Sequence, residues 1–172
     1  MPRTQSALLL VVPLGLVLAG CFGGGSGQGR GGQPASDLEF RNMQTRTYDT
    51  ADTALVIKAT MNVLQDLGYV VKNVDKDLGF LAAEKWTNIA HTKREVRKAK
   101  KTGATLAATQ VFECTANITA HAGGCRVRVN FQRKILDSSG AVLDAHVVDD
   151  AAFYQLFHSR VAKGVFLQQE GV

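Results

Sequence analysis

The chain reads as an α+β domain: an antiparallel sheet in the order β-α-β-β-linker-β-β-β-α, with two helices packed on one face. Three observations predict this. Leu55, Val56, Ala59, Val63, Leu64 and Leu67 recur at spacings of three and four, which places them on one side of a helix. Two alternating segments, 111–122 and 125–136, flank the pair Gly123-Gly124 as the arms of a hairpin. Phe153, Leu156, Phe157, Val161, Gly164 and Val165 form a second helical stripe near the C-terminus. An antiparallel sheet with both stripes on one face buries them and leaves the other face wet.

Taken in order, residues 41–48 alternate weakly and carry β-friendly Thr and Tyr, so they predict a first strand. Asp49 to Asp52 supply capping side chains for the first helix, and Gly68 ends it where a left-handed residue is needed. Residues 69–74 and 80–86 predict a hairpin whose turn uses Gly79 for its positive φ. In the longer hairpin a two-residue loop at the glycines sets Ala120 opposite Val127, Ile118 opposite Val129 and Ala116 opposite Phe131. All six share one face, with Asn117, Thr119, Arg128 and Asn130 on the other. Ser138-Ser139-Gly140 turns the chain into 141–148, where Leu143, Ala145 and Val147 alternate against Asp144 and His146. Asp149 and Asp150 suit the positive N-terminus of the last helix, on which Phe157, like Leu64 on the first, is expected to be buried.

The N-terminal segment carries an address. Arg3 is followed by the apolar run 7–18, broken only by Pro13 and Gly15, which is too short to span a bilayer as a helix. It fits the hydrophobic region of a secretory signal, 1–20. Leu18-Ala19-Gly20-Cys21 then matches the lipobox of bacterial lipoproteins. The match implies a diacylglyceryl group on Cys21, cleavage before it and acylation of the new N-terminus. Three acyl chains exceed the two signals that stable anchoring takes. Phe22 stands where an Asp would signal retention in the inner membrane, so the resemblance favours the outer membrane, facing the periplasm. Residues 21–36 form a lipidated, glycine-rich tether expected to behave as a flexible coil reaching about 20 Å, and 37–172 form one periplasmic domain.

Residues 55–86 resemble the helix-then-hairpin unit of helix-grip domains, including those of a lipoprotein of the outer-membrane β-barrel assembly machinery, on a pattern of the type LGYVV…D…GF. That resemblance implies a helix-grip-like fold and little about function. The phrases LQDLGY, VNFQRKILDSSG and KGVFLQ are similar to a group of uncharacterised proteobacterial lipoproteins, a likeness that brings no activity with it.

The remaining chemistry is sparse. A net charge of +5 is too small to argue for nucleic acid. In 91–101, HTKREVRKAKK, Arg94, Arg97, Lys98 and Lys101 share a face if the linker is helical, and could meet lipid headgroups, lipopolysaccharide phosphates or an acidic partner. Such runs are more often solvated linkers. Cys114 and Cys125 lie in an oxidising compartment, yet the register above places Cys114 opposite Arg133 and Cys125 opposite Ala122. The thiols are then about 25 Å apart and expected to be free. His91, His121, His146 and His158 show no metal-ligand spacing, and His146, beside Asp144, Asp149 and Asp150, falls on the wet face. Ser138-Ser139 lacks the strand-to-helix elbow of a serine hydrolase. No phosphate loop, dinucleotide fingerprint or cofactor motif appears. The sequence thus predicts a non-enzymatic, lipid-anchored binding or scaffolding module with an envelope protein partner. The alternative is a small-ligand carrier or hydrolase with its pocket between sheet and helices.

Overall fold

A computed structural model describes residues 37–171. The signal, lipobox and tether readings fall on 1–36, outside the described residues. The elements run α1 (Asp37–Gln44), β1 (Thr45–Tyr48), α2 (Thr53–Asp66), β2 (Val70–Asp75), β3 (Phe80–Asn88), α3 (Lys93–Thr102), β4 (Ala107–His121), β5 (Gly124–Asp137), β6 (Val142–Val147) and α4 (Ala151–Gln169). All strand pairs are antiparallel, in the order β1-β5-β4-β3-β2, and β6 also pairs with β5. The α+β sheet with helices is therefore as expected, with two further helices.

Helices α2 and α4 form the layer over the sheet. Asp52 caps α2 by accepting from the Leu55 N–H at 2.9 Å, and Gly68, at φ 82°, follows its end. Asp150 caps α4 through the N–H groups of Ala152 and Phe153. Gly164 of α4 faces Ala59 of α2, the small pair that lets the two helices approach. Val56, Ile57, Ala59, Val63 and Leu64 from α2 meet Tyr154, Phe157, Val161 and Val165 from α4 over Leu81, Cys114, Ala116, Ile118, Val127, Val129 and Phe131. Leu64 and Phe157 are 0% and 1% exposed, so both helices face the sheet as their stripes predict. This core lies within one compact unit, 35–172.

Four expectations need correction. Residues 41–44 are the last turn of α1, and the strand starts at Thr45. Helix is favoured there because Asp37 and Glu39 suit its first turn, while Phe40 packs edge-on against Tyr154 with ring centroids 6.4 Å apart. In the long hairpin the turn lies at Ala122-Gly123, at φ 45° and 83°. The pairs become Ala120–Cys125, Ile118–Val127, Ala116–Val129 and Cys114–Phe131, two residues from the expected register. A slip of two preserves the faces, though Ala120 itself is exposed. Gly124 serves packing instead of the turn: a Cβ there would sit 2.5 Å from the Tyr48 carbonyl oxygen of β1.

The third correction concerns β6. Lys134 pairs with Ala145 and Gln132 with Val147, so Ala145 and Val147 lie on the side away from α2 and α4; Leu143 falls at a shift of register, and all three are exposed. The fourth concerns α4, where Leu156 is 53% exposed and Tyr154 and His158 are buried in the stripe instead.

Candidate functional site

β4 and β5 pass from a covered region into an open one. Phe153, Tyr154 and Phe157 pack on Phe131, and His158 reaches Tyr48, whose pair partner is Cys125. Helix α4 therefore runs from the middle of β5 towards the hairpin turn, and residues 132–137 extend past its start. Along β5's free edge, β1 pairs with 125–128 and β6 with 132–136. In the gap between them the Phe131 N–H donates to the Tyr154 hydroxyl at 3.3 Å, and the Phe131 carbonyl accepts from Val148. Side chain and loop thus complete a ladder that neither strand covers.

Beside that gap is a buried polar seam. The Tyr48 hydroxyl lies 2.9 Å from His158 Nδ1, and His158 Nε2 lies 3.3 Å from the Gln44 carbonyl oxygen. The pairing assigns the proton to Nε2, which donates to Gln44, so that Nδ1 accepts from Tyr48. Gln44 continues outward, donating to Asn130 at 3.1 Å and accepting from Arg128 at 3.3 Å. Burial holds the His158 pKa below its ordinary value. Every group here is spent on joining α1 and β1 to α4, and the seam reads as architecture.

On the face away from the helices, strand pairing builds two rows. Trp86, Val111, Lys134 and Ala145 form one; Val70, Glu84, Glu113, Gln132 and Val147 form the other. Glu84 and Glu113 stand directly opposite, a like-charge pair that disfavours the sheet. Each carboxylate has its own lysine: Lys72 at 2.6 Å from Glu84 and Lys134 at 2.8 Å from Glu113. The hydrogen bond from Lys72, with help from Trp86, holds the Glu84 carboxyl below its ordinary pKa. The exposed apolar side chains fall on either side of the Glu113–Lys134 pair, Trp86 on β3 and the others on β6. Trp86 and Val142 are each 58% exposed, Leu143 and Val147 nearly half, and Val111 is buried outside the main core. The patch ends at β6, whose outer edge pairs with no strand among the described residues.

The other side of the open region holds a small cleft of about 230 Å³, between the end of α2, the sheet and the start of α4. Leu67, Tyr69, Phe112, Val148 and Phe153 line it, with Lys85 and Asp150 at its polar edge. Both polar groups already hold helix ends, since Lys85 Nζ donates to the Leu67 carbonyl at 2.8 Å and Asp150 caps α4. Nearby, His146 Nε2 lies 2.8 Å from Asp144, and Asp144 lies 3.7 Å from Arg133. Pairing with Arg133 places His146 on the helix side of the sheet, yet past α4 and exposed.

The basic linker is helix α3, and Arg94, Arg97, Lys98 and Lys101 are all exposed on it. Cys114 and Cys125 are buried free thiols opposite Phe131 and Ala120. Six residues of strand, about 20 Å, separate them, and burial pushes both thiols up in pKa. Cys21 lies outside the described residues. Among the described residues no group of three His, Cys, Asp or Glu could hold a metal ion. The sequence reading missed the outer-face patch because β6's alternation looks the same whichever side is wet. It also missed His158, because the stripe it drew left out both Tyr154 and His158, which lie four residues apart on the buried side of α4.

The sequence matches no family model and no curated protein. Among solved structures it is similar to a DUF4468 family protein from Bacteroides ovatus, at 11% identity over 70% of this chain and 84% of that one, with a TM-score of 0.35.

Proposed function

We propose that this chain is a bacterial cell-envelope lipoprotein, held by acyl chains on Cys21 to the periplasmic face of the outer membrane, whose domain is a non-enzymatic binding module for an envelope protein. The observation that carries the binding role is the outer face of the sheet. Val142, Leu143 and Val147 stand exposed on β6 beside its free edge, and Trp86 stands exposed on β3 across the Glu113–Lys134 pair. An exposed apolar patch with a polar rim suits a protein surface, and an open strand edge offers backbone hydrogen bonds to a partner strand.

A photo-crosslinking side chain placed at Trp86 or Val147 in cells is expected to give a discrete adduct, and one at exposed Leu156 on α4 none. Equal adducts at all three positions, or none at any, overturn the binding reading. The anchor is tested separately. Cys21→Ser should leave the protein in the soluble fraction after a high-salt wash, because the acyl chains supply its salt-resistant membrane affinity. Salt-resistant sedimentation of that variant refutes acylation.

A second reading, a small-ligand carrier, rests on the cleft walled by Tyr69, Phe112 and Phe153. It expects a small apolar ligand to protect the domain against denaturant in the parent but not in Phe112→Trp, which fills the cleft.

A further inference from the structure

We infer that the outward face of α3 is a contact surface for an anionic phospholipid leaflet. Six of the ten residues of α3 are Lys or Arg, and its one acid, Glu95, is engaged in the cap. The Glu95 carboxylate accepts from the Thr92 N–H and hydroxyl, each at 2.8 Å. Ala99 is buried and Val96 half-buried, so this edge of the helix faces the domain. At about 100° per residue, Arg94, Arg97, Lys98 and Lys101 centre on the opposite side. All four are exposed, and none has an ion-pair partner among the described residues.

This arrangement works against the helix that carries it. Arg94–Lys98 and Arg97–Lys101 are like charges at i,i+4, which destabilise a helix. The chain nevertheless builds α3 with a full capping box at Thr92 and a left-handed Gly103 at its end. Its buried residue, Ala99, stands outside the main core cluster, so the core does not require the helix. A rigid row of uncompensated cations about 10 Å long, kept despite its self-repulsion, gains its free energy from an external anion. Residues 93–106 contain no aromatic side chain on which a base could stack, and a flat row of point charges fits a plane of headgroups. The inference rests on the anchored reading for its setting, since the acyl chains would hold the domain beside such a leaflet. Its test does not use the anchor.

Residues 35–172, the compact unit, are floated with phosphatidylglycerol–phosphatidylcholine vesicles and with phosphatidylcholine alone, at low and high salt. The parent should bind only the anionic vesicles, and lose binding as salt rises. Replacing Arg94, Arg97, Lys98 and Lys101 together by Gln should weaken partitioning on the order of several hundred-fold, since each such residue contributes about five-fold. Thermal unfolding should be unchanged or slightly raised, since the like-charge repulsion within α3 is removed. A matched variant, Lys58, Lys76, Arg160 and Lys163 to Gln, removes the same charge elsewhere and should retain most binding. No binding by the parent at low salt, equal binding by the α3 variant, or equal loss in the matched variant overturns the inference. Cell fractionation of Cys21→Ser reports on the anchor independently.

Discussion

The two ends of the β4–β5 hairpin are the same ladder in different surroundings. Towards the turn, Cys114, Ala116 and Ile118 alternate with exposed Thr115, Asn117 and Thr119, and Val127, Val129 and Phe131 with exposed Arg126, Arg128 and Asn130. Helices α2 and α4 cover one side there. Beyond Phe131 that cover ends, residues 132–137 are half-buried without alternation, and the flanking β6 is open. The difference separates tasks: the covered end holds the stabilising burial, and the open end presents apolar and charged surface.

The sharpest way to break this comparison is to truncate one aromatic from each end. Phe131 is fully buried, and its ring meets Phe153 at 4.8 Å, Phe157 at 5.2 Å and Tyr69 and Tyr154 at 5.8 Å, all edge-on. Phe131→Ala should cost about 3–5 kcal/mol in urea unfolding. Trp86→Ala, on the open face, should cost about 1 kcal/mol or less. Comparable losses would mean that the open end also bears the fold.

Glycines sharpen the contrast. Gly79 and Gly103 have nearly the same positive φ, 63° and 68°. A Cβ at Gly79 would lie 1.9 Å from the backbone oxygen of Ile118, whereas at Gly103 it meets nothing within 4 Å. Gly103→Ala should cost only the conformational strain, about 1–2 kcal/mol. Gly79→Ala should cost more, because its turn must also move off β4. Equal midpoints for the two would show that the turn yields freely.

The smallest effect is the titration of His158 in the covered end. Burial lowers its folded-state pKa from 6.5, so between that value and 6.5 the unfolded chain binds more protons. This contribution to stability is complete above pH 6.5 and is lost as pH falls towards the folded-state pKa. His158→Gln should flatten that part of the stability profile, which denaturant unfolding at several pH values measures. An unchanged slope would assign it to another group.

Helices α2 and α4, the faces of the central hairpin and the turn at Gly79 were all legible in the sequence, because local periodicity and backbone sterics decide them. The 3.6-residue stripe of α2 has one way to be buried, and a strand's period of two fixes which of its residues share a side. The basic face of α3 was legible for the same reason. Three things depended on contacts between segments distant in the chain. The hairpin register depended on β1, whose Tyr48 carbonyl comes so close to Gly124 that no side chain fits, leaving the turn to Ala122-Gly123. Residues 41–44 became helix because Phe40 and Gln44 find Tyr154 and the His158 seam across more than 100 residues. Which side of β6 met water was set by where α4 begins. Local sequence determined the elements and their faces; tertiary structure decided which faces stay open, because burial belongs to a pair of surfaces and only one is written in any segment.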